Sequence, residues 1–382
     1  MIHSDKAKPT ILSFIDWYRP GYKAGGTITA FGNMVDHLSP HFNFKIVTRN
    51  ADYLETKPYE HIHSDEWNRV DGHSIFYMSP KTLTYSKIKD LINSTPHDWI
   101  YVNGMFSFYF SILPVLFSSG KNCVVNPHGM LSNQAFSVKS TKKRLFLKLA
   151  NLLKLYKHCR FQVANSQEAK AVSNRVKHLK DIRISNQLPR LLSDKSINNE
   201  TNKSKELLKL ISVTRISVEK GVLKMIKSFS SLGFPTQLDL YGAIYDEDYW
   251  NQCLKAIEEL PRHVEVVYRG SAKSEEIPSI LRAYDFFVLL SEGENFGHAI
   301  LEALGCGIPV LISDNTPWQE VSKRQLGWEI DVNNREGLLN IYQTMNDMDF
   351  EVYSAMSSRA KKFYNEFSKD ERVLSSNIDI FS

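Results

Sequence analysis

The sequence predicts an α/β fold in two doubly wound halves, and three observations carry that expectation. At 382 residues the chain exceeds one ordinary core, and about 150 residues per domain suggests two. Its 42% hydrophobic and 23% charged residues are globular values that exclude disordered, collagen-like and coiled-coil proteins. Strand-like runs alternate with amphipathic helical patterns, the mark of βαβ units and parallel sheets. The alternation breaks at 193–206, a polar stretch rich in Asn, Ser and Lys that reads as a linker.

In the first half, ILSFIDW (11–17) reads as a strand, PGYKAGG as a turn, and Thr27 to Leu38 as a helix with Ile28, Phe31, Met34, Val35 and Leu38 on its apolar stripe. FKIVTRN, SIFYM, WIYVNG, CVVNPHG and FQVANS continue the strands. After the linker come LKLISVT, QLDLYG, VEVVYRG, FFVLLS and PVLISD, separated by helical patterns, and amphipathic helices close the chain (349–367 and 369–379). The expected organisation is 1–192, a linker at 193–206, 207–365, and a C-terminal helix at 366–382 that packs back on the first half. Two Rossmann-like halves place a ligand by default in the cleft between them.

The formal net charge of +5 demands no nucleic acid, but the charge is unevenly spread. No Asp or Glu occurs from Trp99 to Gln167, where Lys139, Lys142, Lys143, Arg144, Lys148, Lys154, Lys157 and Arg160 all fall. The basic pattern 139–157 carries Leu145, Leu149, Leu152 and Tyr156 at helical spacing, and two readings stay open: a core-facing helix, or a surface helix on anionic lipid. Nucleic acid is disfavoured because no stacking aromatics interleave these charges. Four scattered cysteines without CxxC spacing suit a reducing cytoplasm. The N-terminus lacks a signal-peptide pattern, and the uncharged stretch 99–120 is too interrupted by Asn, Gly, Ser and Pro for a membrane span.

SEGENFGHAILEALGCGIP (291–309) is the most informative segment. Glu302 lies among Ile300, Leu301, Ala303 and Leu304 with no Lys or Arg three or four residues away, and an unpaired carboxylate in apolar company is costly. Glu294 precedes the expected helix start at Phe296-Gly297, where an N-terminus favours anions. Eight helical residues rise about 12 Å, close to the span from sugar to ribose in an extended nucleotide sugar. Asp246-Glu-Asp248 and Asp347-Met-Asp349 spell DxD but read as helix caps, and His61, His63 and His73 have no zinc spacing. No GxxxxGK[ST] or GxGxxG occurs.

Glu294 to Glu302, with ALGCGIPVLISDNTPW after it, resembles the E-x7-E segment of retaining GT-B glycosyltransferases, the large family 4 (group 1 glycosyltransferases). The resemblance implies a nucleotide sugar as donor, with Glu294 on sugar hydroxyls, Glu302 on the ribose, and Asn295, Phe296 and Gly297 beside the donor. Arg215 and Lys220 resemble the pair that binds the donor diphosphate, and Gly25 and Gly26 the first glycine-rich loop. His128 resembles the histidine beside the transferred sugar, and the VVYRG turn near Arg269 the base site.

It further implies no metal or cofactor and a glycan or lipid-linked glycan acceptor, in polysaccharide or lipopolysaccharide assembly. The expected location is cytoplasmic, or peripheral on the inner face of the membrane through residues 139–160. Two alternatives stay open: a GT-B sugar-nucleotide epimerase, and a non-catalytic sugar- or lipid-binding scaffold. Retention is expected because the carboxylate-free stretch 99–167 supplies no acceptor base; Asp16 and His128 are the remaining rivals.

Overall fold

The computed structural model describes residues 7–132, 135–136, 140–192, 203 and 206–382. The chain divides into two units, residues 1–188 with 371–382, and residues 189–370. Apart from Lys203 and Glu206, the expected linker lies outside the described residues, as does Lys139.

The first unit is built on β1 (Thr10–Phe14), β2 (Asn43–Arg49), β3 (Trp67–Val70), β4 (His73–Met78), β5 (Trp99–Asn103), β6 (Asn122–Asn126), β7 (Cys159–Val163) and β8 (Asp181–Ile184). They form one sheet in the order β3-β4-β2-β1-β5-β6-β7-β8, parallel except for β3 against β4. Its inner strands β5 and β7 are buried at every position because both faces are covered. One face packs Ile88, Phe110, Leu147 and Phe161 into a core; the other packs Phe31, Ile46, Tyr101 and Phe381.

Helix α1 (Gly26–Leu38) lies on the second face, burying the predicted stripe. On the first face lie α2 (Tyr85–Ser94), α3 (Leu113–Phe117, preceded by a π-helical turn at Phe108–Ile112), α4 (Ser140–Leu152) and α5 (Ser166–Arg175). The uncharged stretch 99–120 is thus a central strand and a helical segment that buries Phe110, Leu113 and Val115 and leaves Phe108 and Leu116 exposed. No helix among the described residues is long and apolar enough to cross a membrane.

The second unit holds β9 (Leu208–Val213), β10 (Thr236–Tyr241), β11 (Val264–Gly270), β12 (Phe286–Leu289), β13 (Val310–Ser313) and β14 (Gly327–Ile330). The sheet is wholly parallel in the order β11-β10-β9-β12-β13-β14. This is the doubly wound arrangement, in which order reverses between β9 and β12 and opens a binding crevice at their carboxyl ends. Its helices are α6 (Val222–Ser228), α7 (Glu247–Glu258), α8 (Ile277–Leu281), α9 (His298–Gly305), α10 (Arg335–Asp347) and α11 (Phe350–Ser368).

A last helix, α12 (Glu371–Ile378), returns to the first unit. Phe381 beyond it packs on Phe42, Trp99 and Tyr101. The buried Arg160 guanidinium donates to the Ile380 and Ser382 carbonyls at 2.5 and 3.0 Å, supplying the donors that a helix C-terminus needs.

Candidate active site

In the second unit the candidate residues gather at the switch point. Beyond β9 the chain runs through Arg215 to a short 3-10 turn, Val218–Lys220, and then α6. Gly221 joins turn to helix at φ +68°, and a Cβ there would lie 1.9 Å from the Leu290 carbonyl oxygen at the end of β12. Only glycine fits, so the β9 and β12 loops run in contact. That contact sets Lys220 Nζ 2.7 Å from Glu294 Oε1, with both side chains largely buried. Arg215 is more open, 3.5 Å from Glu219 and with its guanidinium 4.9 Å from the Tyr245 ring centre. Lysine carries three N–H donors, so Lys220 can keep Glu294 and still reach an anion.

Glu294 and Asn295 lie in the loop before α9, whose first residue is His298 rather than Phe296. Gly297 caps it at φ +87°, and no side chain caps the helix. Its leading N–H groups therefore offer a partial positive charge. The Phe296 ring turns away into an aromatic cluster with Trp318 and Phe367, and the Trp318 indole N–H donates to the Phe296 carbonyl.

Glu302, without a basic neighbour in its own helix, finds one from a distant segment. Arg190 Nε lies 3.0 Å from Glu302 Oε1, and the same guanidinium donates to the Ser274 carbonyl at 2.7 Å and its hydroxyl at 2.6 Å. Burial pushes the Glu302 carboxyl above its ordinary range, and Arg190 opposes that shift. VEVVYRG forms β11, as its sequence pattern indicates, and the Arg269 side chain near the strand's end is held by Asp239, at 2.6 Å, on the neighbouring strand. The buried Asp239 carboxylate also accepts from the Tyr284 hydroxyl at 2.6 Å, so Arg269 balances a buried charge.

Both DxD sequences supply caps. Asp246 accepts from the Tyr249 N–H at 2.9 Å and Asp349 from the Val352 N–H at 2.8 Å. His63 is exposed and lies 3.7 Å from Glu66.

In the first unit Gly25 (φ +78°) precedes α1, which again starts without a side-chain cap, and a Cβ on Gly26 would meet nothing within 4 Å. The loop before it is fixed by Asp52, which accepts the Tyr22 and Lys23 N–H groups at 2.9 and 3.2 Å. Asp16, beyond β1, is engaged by Arg49 at 2.9 Å and by the Ser107 hydroxyl at 2.9 Å. Burial raises its pKa, against the opposing pull of Arg49.

His128 follows β6 in a left-handed turn, φ +48°. Its Nε2 lies 2.8 Å from Asn103 Oδ1, and desolvation pushes the imidazole down to about 4. Arg190, Asp239, Asp52 and Asn103 were invisible to motif reading because each acts on a residue far away in sequence.

Helix α4 presents the Leu145, Leu149 and Leu152 face outward, so of the two open readings it is not the core-facing one. Its buried positions are Leu147 and Ala150, while Leu145, Leu149, Leu152 and the adjoining Leu153 are 60, 49, 77 and 75% exposed. The helix ends at Leu152, so the predicted run to Lys157 is broken by a turn that buries Tyr156.

Residues 193–363 match the family model of glycosyl transferases group 1. The match spans most of the second unit. Over 88 residues, 23% of this chain, it is 34% identical to the O-antigen chain mannosyltransferase B of Escherichia coli, covering 22% of that protein. The chain spans less than half the length of the curated relatives it matches.

Among solved structures, sucrose-phosphate synthase from Thermosynechococcus elongatus aligns with 98% of both chains at a TM-score of 0.73 and 15% identity. An Anabaena protein, HepE, in complex with UDP and glucose, aligns with 97% of this chain and 98% of its own at 0.67 and 16%. These likenesses establish the GT-B fold.

Proposed function

We propose that this protein is a retaining, metal-independent glycosyltransferase that moves a sugar from a nucleotide diphosphate donor to a glycan or lipid-linked glycan acceptor. The observation that carries the reading is the Lys220–Glu294 pair, at 2.7 Å, beside Arg215 at the switch point of the second sheet. Phosphate oxygens would meet Arg215, Lys220 and the α9 N-terminus, which together offset the charge on the departing diphosphate. Glu294 would take sugar hydroxyls and Glu302, held by Arg190, the ribose. With cations and a helix terminus at the leaving group, neither a metal nor another cofactor is required.

In a retaining reaction on the leaving-group face, the departing phosphate can receive the acceptor proton. Asp16 then needs no role as base, in keeping with its engagement by Arg49 and Ser107. His128 and the backbone at Gly25 and Gly26 would face the transferred sugar; the open space at Gly26 suits a ligand's approach. Phe296 and Arg269 would act through the backbone around them, since their side chains are engaged elsewhere.

For α4 we favour a peripheral site on an anionic membrane, at the inner face of the cell membrane. Four exposed leucines next to Lys142, Arg144, Lys148 and Lys154, all exposed, support it.

The test is a panel of nucleotide sugars, scored by protection against thermal unfolding, since a ligand at 100 times its Kd adds about 2.7 kcal/mol. The protecting donor is then given acceptor glycans and the product anomer is read by NMR. Transfer with retention supports the reading. An inverted product would refute the mechanism, an epimerised donor without acceptor would replace the activity with an epimerase, and binding without turnover would leave a scaffold.

A further inference from the structure

Asn103 closes β5 at the switch point of the first sheet, between β5 and β1. Its Nδ2 donates to the Phe14 carbonyl on β1 at 3.2 Å. A carbonyl oxygen only accepts, so this bond orients the amide and turns Oδ1 toward His128 Nε2, 2.8 Å away. An amide oxygen also only accepts, so the shared proton sits on Nε2. We infer that Asn103 is a positioning residue that holds His128 as the neutral Nε2–H tautomer, with the Nδ1 lone pair left to accept a hydrogen bond from a donor-sugar hydroxyl.

The backbone around the ring is held as firmly as the ring. The His128 N–H donates to Asn126 Oδ1 at 3.0 Å, and Asn126 Nδ2 donates to the Tyr101 hydroxyl at 3.0 Å. The Tyr101 hydroxyl donates in turn to Gln162 Oε1 at 2.7 Å, and Gln162 Nε2 donates to Asn377 Oδ1 on α12 at 3.0 Å. Every amide in this buried chain has one orientation that satisfies both neighbours. The other tautomer of His128 would set an acceptor against Asn103 Oδ1, and a ring flip would put carbon there and break the contact.

Charged groups do not disturb this choice. Desolvation by burial depresses the His128 pKa. Glu168 reaches the same turn but spends its carboxylate on the Gly129 and Ala164 N–H groups at 2.5 and 2.8 Å. Asp16 and Arg49, at the ends of β1 and β2, pair with each other. The ring therefore has no proton to give from Nδ1, and it selects a sugar that brings one. A donor bearing fluorine in place of the contacted hydroxyl would bind more weakly to wild type than the parent sugar, and no more weakly than the parent to His128→Ala.

The sugar contact rests on the proposed glycosyl transfer; the tautomer does not. The first experiment is nitrogen NMR of the free protein labelled at histidine, with His128 assigned by its loss in His128→Gln. A protonated Nε2 and bare Nδ1, constant from pH 5.5 to 8, is expected. A protonated Nδ1, or a titrating ring, overturns the inference whatever the activity.

The second experiment is Asn103→Asp, whose carboxylate would stabilise imidazolium and so place a proton on Nδ1. Transfer by that variant should fall at least tenfold on the acid side of the raised His128 pKa and recover above it, a limb wild type lacks. A folded variant with a raised His128 pKa and the wild-type pH profile would overturn the acceptor role of Nδ1. If that variant fails to fold, the wild-type NMR measurement still decides the tautomer.

Discussion

Removing Arg190 tests the second unit most directly, because its guanidinium is the partner of a carboxylate that is 6% exposed. In Arg190→Met the Glu302 charge stays buried, and the Ser274 carbonyl and hydroxyl lose their donors. Breaking one side of such a pair costs about 3–5 kcal/mol. Since burial already raises the Glu302 pKa and Arg190 opposes it, the variant's carboxyl should rise further. An acid whose folded pKa is raised favours the folded state when protonated; that contribution is present at acid pH and is lost as pH climbs through the folded pKa. The loss of stability should therefore be largest near pH 8 and shrink toward pH 5.

Urea unfolding followed by tryptophan fluorescence at both pH values measures it. Arg190→Met with Glu302→Leu should recover much of the loss, because an apolar pair leaves no stranded charge. Equal stability of Arg190→Met and wild type at pH 8, or a loss that does not depend on pH, would refute the reasoning.

Lys220→Ala or Arg215→Ala should lower turnover at least tenfold, equivalent to about 1.4 kcal/mol of transition-state stabilisation; steady-state assays at saturating donor check this, and wild-type rates in both would remove the clamp. Activity should survive EDTA, and a complete loss restored by Mg²⁺ or Mn²⁺ would return attention to Asp246 and Asp347. Sedimentation with anionic vesicles should fall with salt, and fall again when Leu149, Leu152 and Leu153 become Ser or Lys142, Arg144 and Lys148 become Ser. Equal binding by all forms would leave α4 without a lipid partner.

Local pattern determined much of this protein. The buried parallel strands read as continuous apolar runs, since both faces of their sheets are covered. The α1 stripe was likewise legible, because backbone geometry ties neighbours in sequence to neighbours in space. The short edge strands β3, β8 and β14 were not, being only four residues each and at least partly exposed at most positions, which weakens their period. The basic helix stayed open between two readings for a related reason. Leu145, Leu149 and Leu152 share a face that local spacing cannot assign to core or solvent, and the packing of Leu147 and Ala150 against the sheet decided it.

The partners of the charged and polar site residues were decided by tertiary structure alone. Arg190 meets Glu302 across 112 positions, Lys220 meets Glu294 across 74, and Asn103 meets His128 across 25. Desolvation makes each buried polar group need a partner, so a sequence can announce that one is owed. Which residue answers depends on where the sheet order brings the strand ends together.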